Sequence, residues 1–148
     1  MKKDNSLEIY REIYKDLDGL YAMFSKICDL SDAEYWTLVM IKEGCSTQAE
    51  IRDVAHMNKQ TVHSAIKQLT KKGLIALETK ENNLREKQII FTQEGLQFVQ
   101  QHIDSMYHLE ERVWKEMEKE EKELLIEISQ KYNRLLKSEL EKYLKRGD

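Results

Sequence analysis

The spacing of apolar residues changes period once along this chain and then changes back, and that single interruption is the strongest constraint on its fold. From residue 7 to residue 69 apolar side chains recur every three or four positions, as on helices with one buried face. Over LIALET, residues 74–79, they alternate instead, and KQIIF, residues 87–91, is rich in strand-forming side chains. Helical spacing returns after Thr92 and persists to Leu144. The pattern predicts a mainly α fold carrying one small β-hairpin.

Local signals divide the helical stretches. Tyr10, Ile13, Tyr14, Leu17, Leu20, Tyr21, Phe24 and Ile27 mark a first amphipathic helix, with Gly19 as a candidate bend. Ser31 or Asp32 caps a second helix, which carries Tyr35, Trp36, Leu38, Val39 and Ile41 and stops at Gly44. Thr47 and Glu50 have capping-box spacing for a short third helix with Ile51, Val54 and Ala55. His56 and Met57 make a turn, Asn58 caps a fourth helix, and Gly73 ends it in a left-handed conformation. Asn82 and Asn83, in ENNL, suit the tight turn of a hairpin. Thr92 caps a long helix with Glu94 at the positive end of its dipole and Val99, Ile103, Met106, Val113 and Met117 along one face. Residues 110–123 are a dense charge mixture containing a helix junction. The last helix carries Leu125, Ile128, Tyr132, Leu135, Leu136, Leu140, Tyr143 and Leu144.

With 148 residues the chain is long enough for one domain with its own core. Charged residues make up 34% and Pro is absent, a composition suited to solvated helices. No apolar run approaches the ~20 residues of a membrane span, and MKKDNSLEIY lacks the apolar block of a signal peptide. A cytoplasmic protein with no membrane partner is therefore expected. Cys28 and Cys45 form no close-spaced metal pattern, and His56, His63, His102 and His108 include no pair at i and i+4, so neither metal nor cofactor is expected. There is no Gly-rich phosphate loop and no nucleophile elbow, and the carboxylates lie on helix faces of alternating charge. An enzyme is not expected.

The formal net charge is -3, yet it is unevenly spread. Residues 1–57 hold 7 basic and 11 acidic side chains, residues 58–109 hold 7 and 5, and residues 110–148 hold 10 and 11. A polyanion touching only the middle would feel mainly that local excess of positive charge, because screening at physiological salt acts over ~8 Å. The fourth helix is the centre of this region and has no carboxylate. Val62, Ala65, Ile66 and Leu69 form its buried stripe, while Gln60, Ser64, Lys67 and Lys71 share the opposite face, flanked by Thr61 and His63. Such side chains reach major-groove base edges or phosphates, and base contacts come mainly from the first half of a recognition helix. Three short helices and a hairpin make a winged helix-turn-helix, with the fourth helix in the recognition position.

TQAEIRDVAHMNKQTVHSAIKQLTKKGLI, followed by a polar wing ending in LREKQIIFTQEG, resembles the MarR family of bacterial winged-helix transcription regulators. KQTVHSAIKQLTKKGLI is similar to the family's recognition helix with its Leu-x-x-x-Gly-Leu/Ile exit, and FTQEG resembles the Leu-Thr-x-x-Gly leading from wing to long helix. The resemblance spans the chain. It implies a single domain over residues 1–148, in which residues 31–100 form the winged-helix DNA-binding lobe and residues 1–30 plus 101–148 form N- and C-terminal dimerisation helices. It further implies a homodimer placing two recognition helices in successive major grooves of a pseudo-palindromic operator, with wings reaching the minor groove. The expected DNA contacts are Thr47, Asn58, Lys59, Gln60, Thr61, His63, Ser64, Lys67 and Lys71, with Arg85 and Lys87 on the wing. One departure is visible: where the family wing reads Asp-Arg/Lys-Arg, this chain has Asn83, Leu84 and Arg85, so that Leu84 cannot contact phosphate and Asn83 cannot form an ion pair to hold Arg85. Apolar and aromatic side chains on the terminal helices exceed what a small winged-helix lobe covers, which supports a partner copy independently.

By the same resemblance the chain is a repressor released by a small lipophilic effector. Tyr21, Phe24, Trp36 and Met40 are candidates to line such a cleft, although aromatics at this spacing also serve as core. Cys28 lies near enough to a capped helix start for some thiolate character, yet it has no resolving partner nearby in sequence, and a buried structural thiol is the favoured reading. The competing function is a winged-helix protein-interaction module whose lysine face meets an acidic partner without reading DNA.

Overall fold

The run AEYWTLVMI is apolar nearly all the way round, and a helix of that kind has to be surrounded. In the computed structural model, which describes residues 3–80 and 83–147, with the backbone alone for Lys80 and residues 83–85, this run forms α2 (Asp32–Lys42). It packs against α1 (Ser6–Ile27), α3 (Gln48–Ala55), α4 (Lys59–Lys71) and a π-helical turn (Val99–Ile103). Tyr35, Thr37, Leu38 and Val39 are fully buried there. After α4 come the antiparallel strands β1 (Ile75–Lys80) and β2 (Asn83–Phe91), then α5 (Gln93–Phe98), the π turn, α6 (Asp104–Glu116) and α7 (Lys119–Arg146). The chain divides into two compact units, Met1–Met106 and Tyr107–Asp148. Among the described residues no helix is long and apolar enough to cross a membrane.

Helix starts follow their capping residues. Ser31 Oγ accepts the Glu34 N–H at 3.1 Å, Asn58 Oδ1 the Thr61 N–H at 2.8 Å, and Thr92 Oγ1 the Gly95 N–H at 3.0 Å. Each satisfies one of the four donors a helix leaves open, a contribution of about 1 kcal/mol. The capping box expected of Thr47 and Glu50 is only half made. Thr47 Oγ1 accepts the Glu50 N–H at 3.2 Å, but the Glu50 carboxylate reaches one residue further back, to the Ser46 N–H at 2.9 Å. At α7 a full box forms instead between Glu118 and Glu121, and it fixes the junction after α6. His56, with φ 53°, ends α3 in the left-handed region.

Three expectations about the second half of the unit are corrected. Leu74 is not in the hairpin; its N–H still bonds Leu69 O at 3.1 Å, and β1 begins at Ile75. β2 starts at Asn83 rather than at Lys87, so Asn83 is a strand residue paired with Lys80 and not part of the turn, while Asn82 lies outside the described residues. The pairing shifts register between Thr79 and Lys80, and the LRE segment, which its composition disfavours as strand, spans that irregularity without Cα partners of its own. The helix after Thr92 is not uniform either, because the π turn adds a residue between α5 and α6. Val99, Ile103 and Met106 are buried as expected; Val113, on the continuation of that face, is exposed because the first unit's core ends at Met106.

The exit of α4 and the entry of α5 are stitched together. Gly73, at φ 77°, turns the chain out of α4. Thr92 Oγ1 donates to Gly73 O at 2.5 Å and Thr92 N donates to Leu74 O at 3.2 Å. α5 approaches so closely that a Cβ on Gly95 would sit 1.9 Å from Leu74 O, a distance no side chain tolerates. Elsewhere the surface is less complete: the apolar side chains of α1 and α7 are largely exposed, from Ile13 and Leu17 at one end to Leu136 and Leu140 at the other.

Candidate nucleic-acid interface

α4 is held by one side and open on the other. Val62, Ala65, Ile66 and Leu69 are at most 5% exposed, pressed onto α2 and α3. Burial of the three larger ones stabilises that seat by roughly 1.5 to 3 kcal/mol each. Lys59, Gln60, His63, Ser64, Lys67 and Lys71 are exposed and Thr61 is half-buried, as the wheel predicts. Lys72 is taken out of this set: its Nζ lies 2.6 Å from Glu34 Oε2 and ties the end of α4 to α2. Lys59, Lys67 and Lys71 enter no ion pair among the described residues, so their charge is available to an outside anion.

The open side is a ridge with a hollow on each flank. Gln60, Ser64 and Gln68 border a polar hollow of about 360 Å³ shared with Ser31, Ala33 and Glu34 of the α2 start. Lys59, His63, Lys67 and Thr70 border a larger cleft of about 750 Å³, whose other walls are Thr47, Gln48, Ala49 and Arg52 near α3 and Leu77, Glu86, Lys87 and Ile89 of the hairpin. A backbone bond from Ile89 N to Ser46 O, 2.7 Å, fixes the hairpin to the start of α3 and so sets the width of this cleft. The face read from the wheel as one surface is thus two, with Lys71 bordering neither hollow.

The remaining expected residues fall unevenly. Asn58 is exposed but its Oδ1 is engaged as a cap. Thr47 is 3% exposed and its hydroxyl oxygen caps α3, so it builds the cleft wall from within. Lys87 is exposed opposite Thr79 on the hairpin. The side chain of Arg85 lies outside the described residues. Sequence reading missed Arg52 and Glu86, the former an arginine in α3 whose Nε is buried without a hydrogen-bond partner. No periodicity singles out either residue; only the meeting of α3 with the hairpin does.

Among the residues expected to line an effector cleft, Tyr21, Phe24 and Trp36 come together. Tyr21 lies 5.9 Å from both Phe24 and Trp36, centroid to centroid, and Tyr35 joins them, 6.3 Å from Phe24 and 5.5 Å from Trp36. Met40 faces a different depression, with Glu43, Cys45 and Val54. The thiolate character considered for Cys28 is reversed. It sits at the C-terminal end of α1, donating to Phe24 O at 3.3 Å, and burial pushes its pKa up, as burial and then the Glu50 and Glu43 carboxylates do for Cys45. Among the described residues no group of three or more His, Cys, Asp or Glu could hold a metal ion.

Residues 29–86 match the model of the MarR family. The fold as a whole is similar to NMB1585, a MarR family regulator from Neisseria meningitidis, at 18% identity and a TM-score of 0.78, covering 94% of this chain and 99% of that one. A mutant of S. aureus MepR bound to oligodeoxyribonucleotide matches at 19% identity and a TM-score of 0.57, over 92% and 99% of the two chains. Bordetella bronchiseptica BpsR, whose DNA binding is regulated by 6-hydroxynicotinic acid, matches at 15% identity and a TM-score of 0.67, over 85% and 91%. No curated protein sequence matches this chain.

Proposed function

We propose, from the match of residues 29–86 to the MarR family model, that this chain is a MarR-type regulator: a homodimeric, sequence-specific double-stranded DNA-binding protein that represses transcription and is released by a small lipophilic effector. The observation that carries the reading is the open side of α4, with three lysines that enter no ion pair among the described residues, polar groups able to read bases, and no carboxylate on the helix. A carboxylate there would face phosphate across the interface and cost affinity. Gln60, near the helix start, has the donor and acceptor that pair with adenine, whereas Lys71 is placed for the backbone.

The homodimer is supported by the terminal helices, whose apolar rows call for a cover, and residues 1–30 plus 101–148 are the segments proposed to supply it. Effector release is supported by the aromatic group of Tyr21, Phe24 and Trp36 beside α2, the helix on which α4 is seated. Selection of bound duplexes from a random pool tests the reading. A recovered motif with two-fold symmetry and half-sites about one helical turn apart is the expected result. No enrichment, together with binding of α4 to an acidic protein, would hand the function to the competing interaction-module reading.

A further inference from the structure

We propose that the cleft between α3, α4 and the hairpin is a phosphate-binding site organised by Arg52. The buried Arg52 Nε has no hydrogen-bond partner, although it belongs to a group that is always charged. Leaving such a donor unmade is unfavourable, and structures retain the arrangement where an outside acceptor completes it. Arg52 itself is half-buried, and Ile66, Leu77 and Ile89, which line the cleft with it, offer the orphaned nitrogen no side-chain acceptor. The missing acceptor has a defined chemistry. A guanidinium presents parallel N–H groups that match two oxygens of one phosphate, and three further cations, Lys59, Lys67 and Lys87, border the same cleft without ion pairs among the described residues. Glu86 is the one carboxylate among the described lining residues, and it pairs with none of the four cations. The cleft therefore keeps a net positive charge between walls that the Ile89–Ser46 bond holds apart.

The phosphate comes either from a duplex backbone, in which case the inference rests on the proposed DNA binding, or from a free phosphate compound. In the 148-residue chain, the Arg52 Nε–H resonance is followed while the selected duplex or inorganic phosphate is added, and R52Q and R52K are compared with the parent in duplex binding across a salt series. The expected result is a resonance that shifts with duplex. R52Q should then bind all duplexes about tenfold more weakly, with a salt slope smaller in magnitude by about one per bound copy. R52K should keep the parent slope but still lose several-fold, since it lacks the planar fork; a purely structural arginine would not separate charge from shape in this way. A resonance that responds to inorganic phosphate while R52Q binds duplex like the parent assigns the site to a free phosphate. A parent chain that binds no duplex removes the functional reading and leaves the phosphate titration to decide the cleft alone. No response to either ligand, with parent-like duplex binding in both variants, overturns the inference.

Discussion

α4 and α7 are written in the same pattern, apolar residues every three or four positions, and end in opposite surroundings. In α4 the stripe is sealed: Val62 and Leu69 have no exposed surface. In α7 Leu125, Ile128, Leu135, Leu136 and Leu140 are each 46–56% exposed, and no residue of that helix is buried. The pattern states that a face needs covering and is silent about what covers it. For α4 the cover is α2 and α3 of the same chain. For α7, and for the row from Ile9 to Ile27 on α1, the proposed cover is a second copy.

Removing residues 125–148 is the largest challenge to that contrast. Each large apolar group contributes ~1.5 to 3 kcal/mol when buried, so losing Leu125, Ile128, Tyr132, Leu135, Leu136 and Leu140 from each copy should abolish self-association in sedimentation velocity. A truncated chain that still sediments as a dimer and binds duplex normally refutes the shared cover. Leu69→Ala and Leu136→Ala sharpen it. The first should cost about 2 to 5 kcal/mol in urea unfolding at every protein concentration, whereas the second should lower the midpoint by an amount that depends on concentration. Equal, concentration-independent losses would erase the distinction between the two helices.

On the open side of α4 the effects become smaller and turn on ligand. Gln60→Ala should relax discrimination at one position per half-site by ~1 to 3 kcal/mol. Lys71→Ala should weaken all duplexes alike and reduce the magnitude of the log–log salt slope by about one per copy. The same uniform loss from both would mean that the ridge is not docked as proposed. The smallest effect belongs to Cys28. Its raised pKa means that the folded chain keeps the thiol proton where the unfolded chain releases it, from about pH 8.5. The associated stability is complete below the unfolded pKa and is lost as pH rises through the folded one. Cys28→Ser should leave the peroxide sensitivity of duplex binding unchanged, and native Cys28 should react with iodoacetamide more slowly than in urea; faster native alkylation would contradict the burial argument.

What was legible in the sequence is what is decided locally. Ser31, Asn58 and Thr92 announce their helices because a cap acts within three residues, and the stripe from Val62 to Leu69 is a property of one helix. The start of β2 was not legible, since its LRE segment lies in the strand without partners of its own, between the Thr79–Lys87 and Lys80–Asn83 pairs where the register shifts. Nor was the π turn, whose residues Val99 and Ile103 keep a four-residue spacing that an α-helix would also show. Glu50 had the right spacing and chose a neighbouring donor, which depends on how Ser46 enters the turn. Arg52 reads as one more charged residue on a short helix until the hairpin forms the facing wall of its cleft. The candidate site is therefore half visible: the ridge belongs to one helix, and the cleft belongs to three elements that no single stretch describes.

The contact between Gly95 and Leu74 O makes the end of α4 and the start of α5 a welded elbow. With Thr92 bonded to both Gly73 and Leu74, there is no slack in which one helix could pivot while the other stays. Tilting the recognition helix by a few degrees must swing α5 through the same angle, as the short arm of a crank turns the long one. Any torque applied along α5 reaches the open side of α4 by stiffness alone.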